Sequence, residues 1–365
     1  MKKITPQNVI IDPTEVAENA GLRYVSDDQP GYSRKLKDED FEYLDTEGKP
    51  IHDEQRLLRI KRLAVPPAWK GVWICPSANG HIQATGRDAR DRKQYRYHDR
   101  WREIRDENKY DRMIDFGKAL SKIRRRVRKD MALPGLPRNK VLATVVQLLE
   151  RTFIRVGNEA YARENKSFGL TTMQDRHVNV KGSKLRFRFK GKSGRQREVD
   201  MTDRRVAKII AKLQDLPGQD LFQYVDDQGV VHNVTSQDVN DYLREISGGD
   251  FTAKDFRTWG GTVLAAIALN SVGMFETEQQ AKANVKNAIG VVAKLLGNTP
   301  SICRKCYIHP AVLESYLNGD FNAGLTLKIA ESGRTCVRSS RAIDLRSSEA
   351  AILNLLGSRV AEKPA

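Results

Sequence analysis

The chain has 365 residues, with 63 Lys and Arg against 46 Asp and Glu, a formal net charge of +17 and a pI near 9.7. Hydrophobic residues make up 39% and charged ones 30%, with a mean hydropathy of −0.57, which supports one or two packed cores and argues against wholesale disorder. The cation excess nominates an anionic partner, and no run approaches the ~20 apolar residues of a membrane span.

The opening MKKITPQNVIIDPTEV lacks the apolar stretch of a secretory leader, so the expected compartment is the cytoplasm. Cys75, Cys303, Cys306 and Cys336 are too sparse for a disulfide framework, and free thiols are expected. Charge is unevenly placed. Residues 1–55 hold 7 basic and 13 acidic side chains, residues 56–115 hold 15 and 8, and residues 116–365 hold 41 and 25. Trp69, Trp73, Tyr95, Tyr97, Trp101 and Tyr110 are interleaved with the basic residues, the pattern of a folded nucleic-acid surface rather than a basic tail.

In chain order, strand-like pieces come first: FEYLD at 41–45, VWICP at 72–76, HIQAT at 81–85 and KQYRY at 93–97, punctuated by Gly, Pro and Asn turns. With EQRLLRIKRL at 54–63 as a helical insertion, they predict a small, mostly antiparallel β-rich domain over residues 1–115. From Tyr110 the period becomes helical. The segment 112–131 sets Met113, Ile114, Phe116, Leu120, Ile123 and Val127 on one face, and Pro134 and Pro137 end it. A longer helix is expected from Asn139 to residue 165, carrying Arg155. Next, Leu185, Phe187 and Phe189 alternate with Lys184, Arg186, Arg188 and Lys190 before a GKSG turn, which predicts a β-hairpin. Helical stretches follow at 201–214, 236–247, 253–270 and 277–296, and Thr299-Pro300 reads as the start of another helix, containing Tyr307. The expected class is α+β. The small β-rich domain is followed by a larger, mainly helical domain over 116–345 and a tail over 346–365 that includes a candidate docking helix.

Two motifs are decoys. GKSG at 191–194 would need glycine at position 186 to complete a phosphate-binding loop, and Arg186 is there. Cys303-x-x-Cys306 has no second pair of ligands to complete a zinc site, and no acidic cluster resembles a two-metal nuclease centre. No metal, nucleotide or other cofactor is expected. What remains is a series of cations and polar groups in distinctive contexts: Arg155 in FIRVGNEAYARENKSFGLTT, Lys192 at the hairpin tip, Arg257 in KDFRTWGGT, and Asn298 and Tyr307 in LLGNTPSICRKCYIHP.

Their order and spacing resemble the catalytic domain of type IB DNA topoisomerases, particularly the small bacterial enzymes related to the poxvirus one. RKQYRYH at 92–98 resembles the segment of the amino-terminal domain that meets DNA. The resemblance spans residues 30 to 320. It implies the shared tyrosine recombinase and topoisomerase IB catalytic fold, with Tyr307 as nucleophile, Arg155 and Arg257 as phosphate clamps, Lys192 as general acid and Asn298 as a further donor. It also implies DNA contacts by Gln94, Tyr95 and Tyr97, by Asn158 and Tyr161 beside Arg155, and by Lys254. Asn298 stands where the poxvirus enzymes carry histidine. An amide can donate to the same oxygen but cannot ionise near neutrality, so no histidine-like pH step is expected.

The chemistry fits these residue types. A phosphodiester attacked in line by a phenol gathers negative charge on its non-bridging oxygens, which forked guanidiniums hold without a metal ion. The expected partner is double-stranded DNA, gripped by a monomer that closes as a clamp. A tyrosine recombinase would share the same catalytic fold and transesterification, and Lys254, three residues before Arg257 where recombinases usually place His or Lys, does not decide between them. Recombinases, however, normally carry a helical core-binding domain where this chain is β-rich. An inert architectural DNA-binding protein would leave the spacing of Tyr307 and the two arginines without a reason.

Overall fold

The computed structural model describes residues 13–37, 40–89, 91–321 and 346–361. The chain divides into two compact units, 1–111 and 112–365. The first contains α1 (Pro13–Asn19), β1 (Tyr32–Lys37), β2 (Asp40–Leu44), α2 (Glu54–Arg62), β3 (Lys70–Ile74), β4 (Ile82–Arg87) and β5 (Lys93–Tyr97). The strands form one antiparallel sheet in the order β2-β1-β3-β4-β5. Helix α2 starts where the Asp53 carboxylate accepts the Arg56 N–H at 2.8 Å, and it buries Ile60 against Tyr32, Ile51, Val72, Ile74 and Ala84. Strand β1 was not among the expected strands. Its sequence, YSRKLK, buries only Tyr32, so it lacks an apolar face to announce it.

Helix α3 (Asp99–Asp130) begins well before the expected 112 and carries the boundary between the units within it. Its first turns are too charged to show an apolar stripe, but Trp101 is buried with Ala17, Ala20 and Leu22. In the second unit, Met113, Phe116, Leu120, Ile123 and Val127 are buried as the periodicity predicts. There follow α4 (Arg138–Thr152), α5 (Glu159–Asn165), the sheet β6 (Val178–Lys181), β7 (Lys184–Lys190) and β8 (Gln196–Thr202), then α6 (Arg204–Gln214). A short hairpin, β9 (Gln223–Val225) and β10 (Val231–Asn233), precedes α7 (Ser236–Ser247), α8 (Ala253–Val272), α9 (Glu278–Leu296), α10 (Pro300–Cys306) and α11 (Pro310–Leu317). The class is α+β, a small β-sheet region before a larger helical one.

The β7–β8 hairpin follows the alternation of its sequence. Leu185, Phe187 and Phe189 are buried while the basic residues between them are exposed. Helix α8 is buried on all sides from Phe256 to Leu269, as its apolar composition requires. The expected stretch 201–214 starts later, because Met201 and Thr202 finish β8 and Asp203 caps α6 by accepting from Arg205 and Val206.

The expected single helix 139–165 is broken. Phe153 takes a left-handed φ of 53°, Gly157 a φ of 112°, and the chain re-enters a helix only after Asn158, whose side chain accepts the Tyr161 N–H. Arg155 therefore lies in a short loop and not on a helix. A side chain at Gly157 would be strained, and a methyl there would lie 2.8 Å from the Thr171 hydroxyl.

Residues 322–345, expected to end the larger domain, lie outside the described residues, as do 1–12 and 362–365. A last helix, α12 (Arg346–Ala361), buries Ile352 and Leu356. Its Glu349 accepts from both terminal nitrogens of Arg124 at 2.7 Å and from Trp259 Nε1 at 3.0 Å. Arg124 also donates to Glu150 at 2.6 Å. Burial lowers the Arg124 pKa, but the bonds to Glu349 and the charge of Glu150 more than reverse that. Glu349→Ala is expected to leave the Trp259 N–H buried and unpaired, at a cost on the order of 1–3 kcal/mol. A lowered midpoint of thermal unfolding checks this, and an unchanged midpoint contradicts it.

Candidate active site

The carboxy-terminal end of α9 is the centre around which the site assembles. Gly297 takes a left-handed φ of 62°, and the Asn298 N–H turns back to the Ala293 carbonyl at 2.9 Å. Thr299 then caps α10, its hydroxyl accepting the Ile302 N–H at 3.3 Å, with Pro300 at the first helical position. Tyr307 is not inside α10 but at its carboxy-terminal cap, where its N–H reaches Cys303 O at 3.0 Å.

Arg257, 4% exposed on α8, donates to Leu296 O at 2.9 Å and to Phe153 O. Its guanidinium lies 5.1 Å from the centroid of the Tyr307 ring. Arg155 donates to the Asn298 side-chain oxygen. The loop that carries Arg155 is tied down on both sides. Leu170 N–H bonds to Arg155 O at 2.9 Å, Thr171 N–H bonds to Val156 O at 2.6 Å, and Phe168 N–H bonds to Lys190 O on β7 at 2.8 Å. Lys192 stands exposed in the turn after β7, next to Ser193 with its φ of 64°. Arg155, Lys192 and Arg257 line one recess together with Phe153, Leu296 and a further cation, Arg197. Four of the five expected residues are thus joined by direct contacts, and Lys192 shares the recess of two of them.

Two glycines make the packing possible. On α8, a methyl at Gly260 would lie 2.2 Å from the Phe153 ring, and one at Gly261 would lie 2.6 Å from Tyr307 O. Mid-helix glycine costs about 1 kcal/mol relative to alanine, and here it lets α8 touch both the Arg155 loop and the tyrosine backbone. The Thr262 hydroxyl comes within 3.3 Å of Tyr307 O and accepts the His309 N–H at 3.0 Å, fixing the segment on either side of Tyr307.

Electrostatically, the recess gathers cations close to one another. Burial, followed by the charge of Arg155, pulls the Arg257 pKa down to about 10, which still leaves it charged at neutral pH. Burial and then Arg155 lower Arg197 as well. Burial alone would raise the Tyr307 phenol, but the charges of Arg257 and then Arg155 overcome this and hold it below the ordinary tyrosine value. The Arg257 Nε and Asn298 Nδ2 donors are buried without a hydrogen-bond partner. Cys303, beside Asn298, is pushed up to about 11 by burial and stays a neutral thiol. Among the described residues, no three of His, Cys, Asp and Glu form a metal-holding group.

Arg197 is absent from the expected set, although parity could have found it. On β8 it shares a face with the buried Val199 and Met201, so an arginine is directed inward. Of the expected DNA contacts in this unit, Lys254 is exposed on the first turn of α8, Tyr161 is half-buried on α5, and the Asn158 side chain is committed to capping α5. In the first unit, Gln94 donates to Asp88 at 2.9 Å, and Tyr95 stacks on Tyr97 with centroids 5.7 Å apart. Tyr95 remains 41% exposed, whereas Tyr97 is half-buried and packs against the cluster of Ala17, Ala20, Leu22 and Trp101.

Ultraviolet titration of the parent and of Tyr307→Phe isolates the Tyr307 ionisation, which is expected below that of ordinary tyrosine. Arg155→Ala removes a cation that favours the phenolate and is expected to move it upward. An ionisation at or above the ordinary value in the parent contradicts the electrostatic reading.

The family model for the catalytic core of eukaryotic DNA topoisomerase I matches residues 98–323, and that for the amino-terminal domain of bacterial DNA topoisomerase IB matches residues 40–88. DNA topoisomerase 1B of Acanthamoeba polyphaga mimivirus is 34% identical over 267 residues, covering 71% of this chain and 80% of the viral one. DNA topoisomerase 1B of vaccinia virus and DNA topoisomerase I of monkeypox virus are each 23% identical over 307 residues, covering 83% of this chain and 88% of theirs. With its sheet-bearing first unit, and with Arg155, Arg257, Asn298 and Tyr307 gathered at one helix end in the second, the chain belongs to the type IB DNA topoisomerases.

Proposed function

We propose that the enzyme relaxes supercoiled duplex DNA without ATP or a metal ion, through a transient single-strand break held as a 3′-phosphotyrosyl bond. The observation that carries this reading is the Arg257 guanidinium 5.1 Å from the Tyr307 ring centroid, with Arg155 bonded to Asn298 beside it. The Tyr307 oxygen, its phenolic proton released to water, attacks the scissile phosphorus. A new P–O bond to Tyr307 forms as the P–O bond to the 5′-oxygen breaks. Arg155, Arg257 and Asn298 donate to the non-bridging oxygens, whose charge grows in the pentacoordinate state. Lys192 gives its proton to the departing 5′-oxygen, which leaves as a hydroxyl. The freed end swivels, and the reverse attack by that hydroxyl restores the strand. Because the phosphotyrosyl bond conserves the energy of the phosphodiester, religation requires no nucleotide.

The lowered Tyr307 pKa increases the phenolate fraction at neutral pH, in line with a nucleophile whose proton must leave. The +17 net charge supports a grip on DNA phosphates, and a monomer closing its two units around the duplex in the cytoplasm accounts for both the β-rich and the catalytic unit. Gln94, Tyr95, Tyr97, Asn158, Tyr161 and Lys254 are proposed DNA contacts; the exposed Tyr95 ring and the exposed Lys254 have surface free for this.

Purified protein is expected to relax plasmid of either supercoil sign in EDTA without nucleotide, with activity falling steeply as salt rises. Absence of relaxation at low salt, or undiminished relaxation by Tyr307→Phe, overturns the reading. Lys192→Ala is expected to slow cleavage strongly at an ordinary 5′-oxygen and little at a 5′-bridging sulfur, whose thiolate leaves unprotonated. Equal slowing of both substrates removes the proton-donor role from Lys192.

A further inference from the structure

Of the four cations lining the recess, Arg197 has no part in the reaction above. Its surroundings place it between two parts of the site. Its Nη2 donates to Leu295 O at 2.9 Å and its Nη1 to Lys294 O at 3.4 Å, so the guanidinium clasps the last carbonyls of α9. It packs so closely on the turn before Asn298 that a methyl at Gly297 would lie 2.4 Å from Nη1. At the other end of the side chain, Cγ sits against the residue preceding Lys192, where a methyl at Gly191 would lie 3.1 Å away. Arg197 is also the cross-strand partner of Phe189, the last buried residue of β7 before the Lys192 turn.

We propose that Arg197 is a positioning residue for the general acid: by clasping the end of α9 from the base of the Lys192 turn, it fixes the hairpin tip relative to the helix end that presents Asn298. The inference rests on Lys192 as proton donor. Charge and geometry both suit the task. The end of a helix carries orphan carbonyls and the negative pole of the helix dipole, which a half-buried guanidinium satisfies with two directed donors. Both terminal nitrogens of Arg197 are turned toward helix carbonyls, so its donors are spent on the end of α9. A lysine at position 197 would keep the positive charge but could not face two carbonyls with a rigid fork. Without the clasp the turn holding Lys192 is free to drift, and a displacement near 1 Å at a reacting group costs about 10²-fold in rate.

The test is single-turnover cleavage of duplexes carrying either an ordinary 5′-oxygen or a 5′-bridging sulfur at the scissile phosphate. It compares the parent, Lys192→Ala, Arg197→Ala, Arg197→Lys and the Lys192→Ala/Arg197→Ala double variant. Arg197→Ala is expected to slow cleavage at oxygen about 10²-fold, to be relieved by sulfur, and to add nothing in the Lys192→Ala background. Arg197→Lys, which keeps the cation and guards against loss of folding by the alanine variant, is expected to show the same relief by sulfur with a smaller defect. If both Arg197 variants are slowed equally on the two substrates, or if the double variant is slower than Lys192→Ala, the positioning role is overturned and Arg197 acts on the phosphate or on the fold. If Lys192→Ala itself is not relieved by sulfur, it is the acid assignment that fails, and the inference falls with it.

Discussion

Three guanidinium groups, those of Arg155, Arg197 and Arg257, meet at the carboxy-terminal end of α9, and the second unit is organised around keeping them there. Like charges at such range repel, and the burial of Arg257 and the partial burial of Arg155 and Arg197 reduce the water that would screen them. What offsets this is a set of oxygens directed at them: the carbonyls of Lys294, Leu295 and Leu296, the Phe153 carbonyl, and the Asn298 amide oxygen. The helix dipole adds to the same sign. The balance is incomplete, as the lowered pKa values of Arg197 and Arg257 show. In the proposed reaction an arriving phosphodiester supplies the missing negative charge and its transition state more of it, so that the reacting group would be stabilised most when its charge is greatest.

Backbone choices elsewhere follow from that requirement. The helix leading to Arg155 stops at Phe153 so that one carbonyl is freed for Arg257 and one side chain is aimed at Asn298. Gly157 turns the chain where a Cβ would strike Thr171, and Gly261 lets the most buried helix press against the backbone of Tyr307. Each departure weakens a local element, and the packing of α8 among its apolar neighbours supplies the stability that these departures remove. Tyr307, at a helix cap and not in a helix interior, is held through its main chain on both sides while its ring remains half-buried beside Arg257.

Much of this was legible in the letters, for identifiable reasons. The alternation of Leu185, Phe187 and Phe189 with basic residues specified the hairpin, because only one register buries all three. The apolar sweep of α8 marked it as central, and Thr299-Pro300 marked the start of α10. The break after Thr152 was not legible. Phe153, Ile154 and Val156 continue an apolar pattern through it, and a single glycine is tolerated in many helices. Strand β1 was hidden because its pairing is made by the backbone while its side chains are mostly polar. Arg197 was missed although its parity with Val199 and Met201 pointed inward, because an arginine in a run of charged residues reads as solvated surface.

The central claim is that Tyr307 joins covalently to a DNA 3′ end. Mass spectrometry of peptides from reactions denatured during turnover on an oligonucleotide duplex tests it most directly. The expected result is a peptide spanning Tyr307 that carries a nucleotide through its 3′-phosphate, and that is absent from Tyr307→Phe. An adduct on another residue, an adduct through a 5′-phosphate, or relaxation with no adduct at all would contradict it.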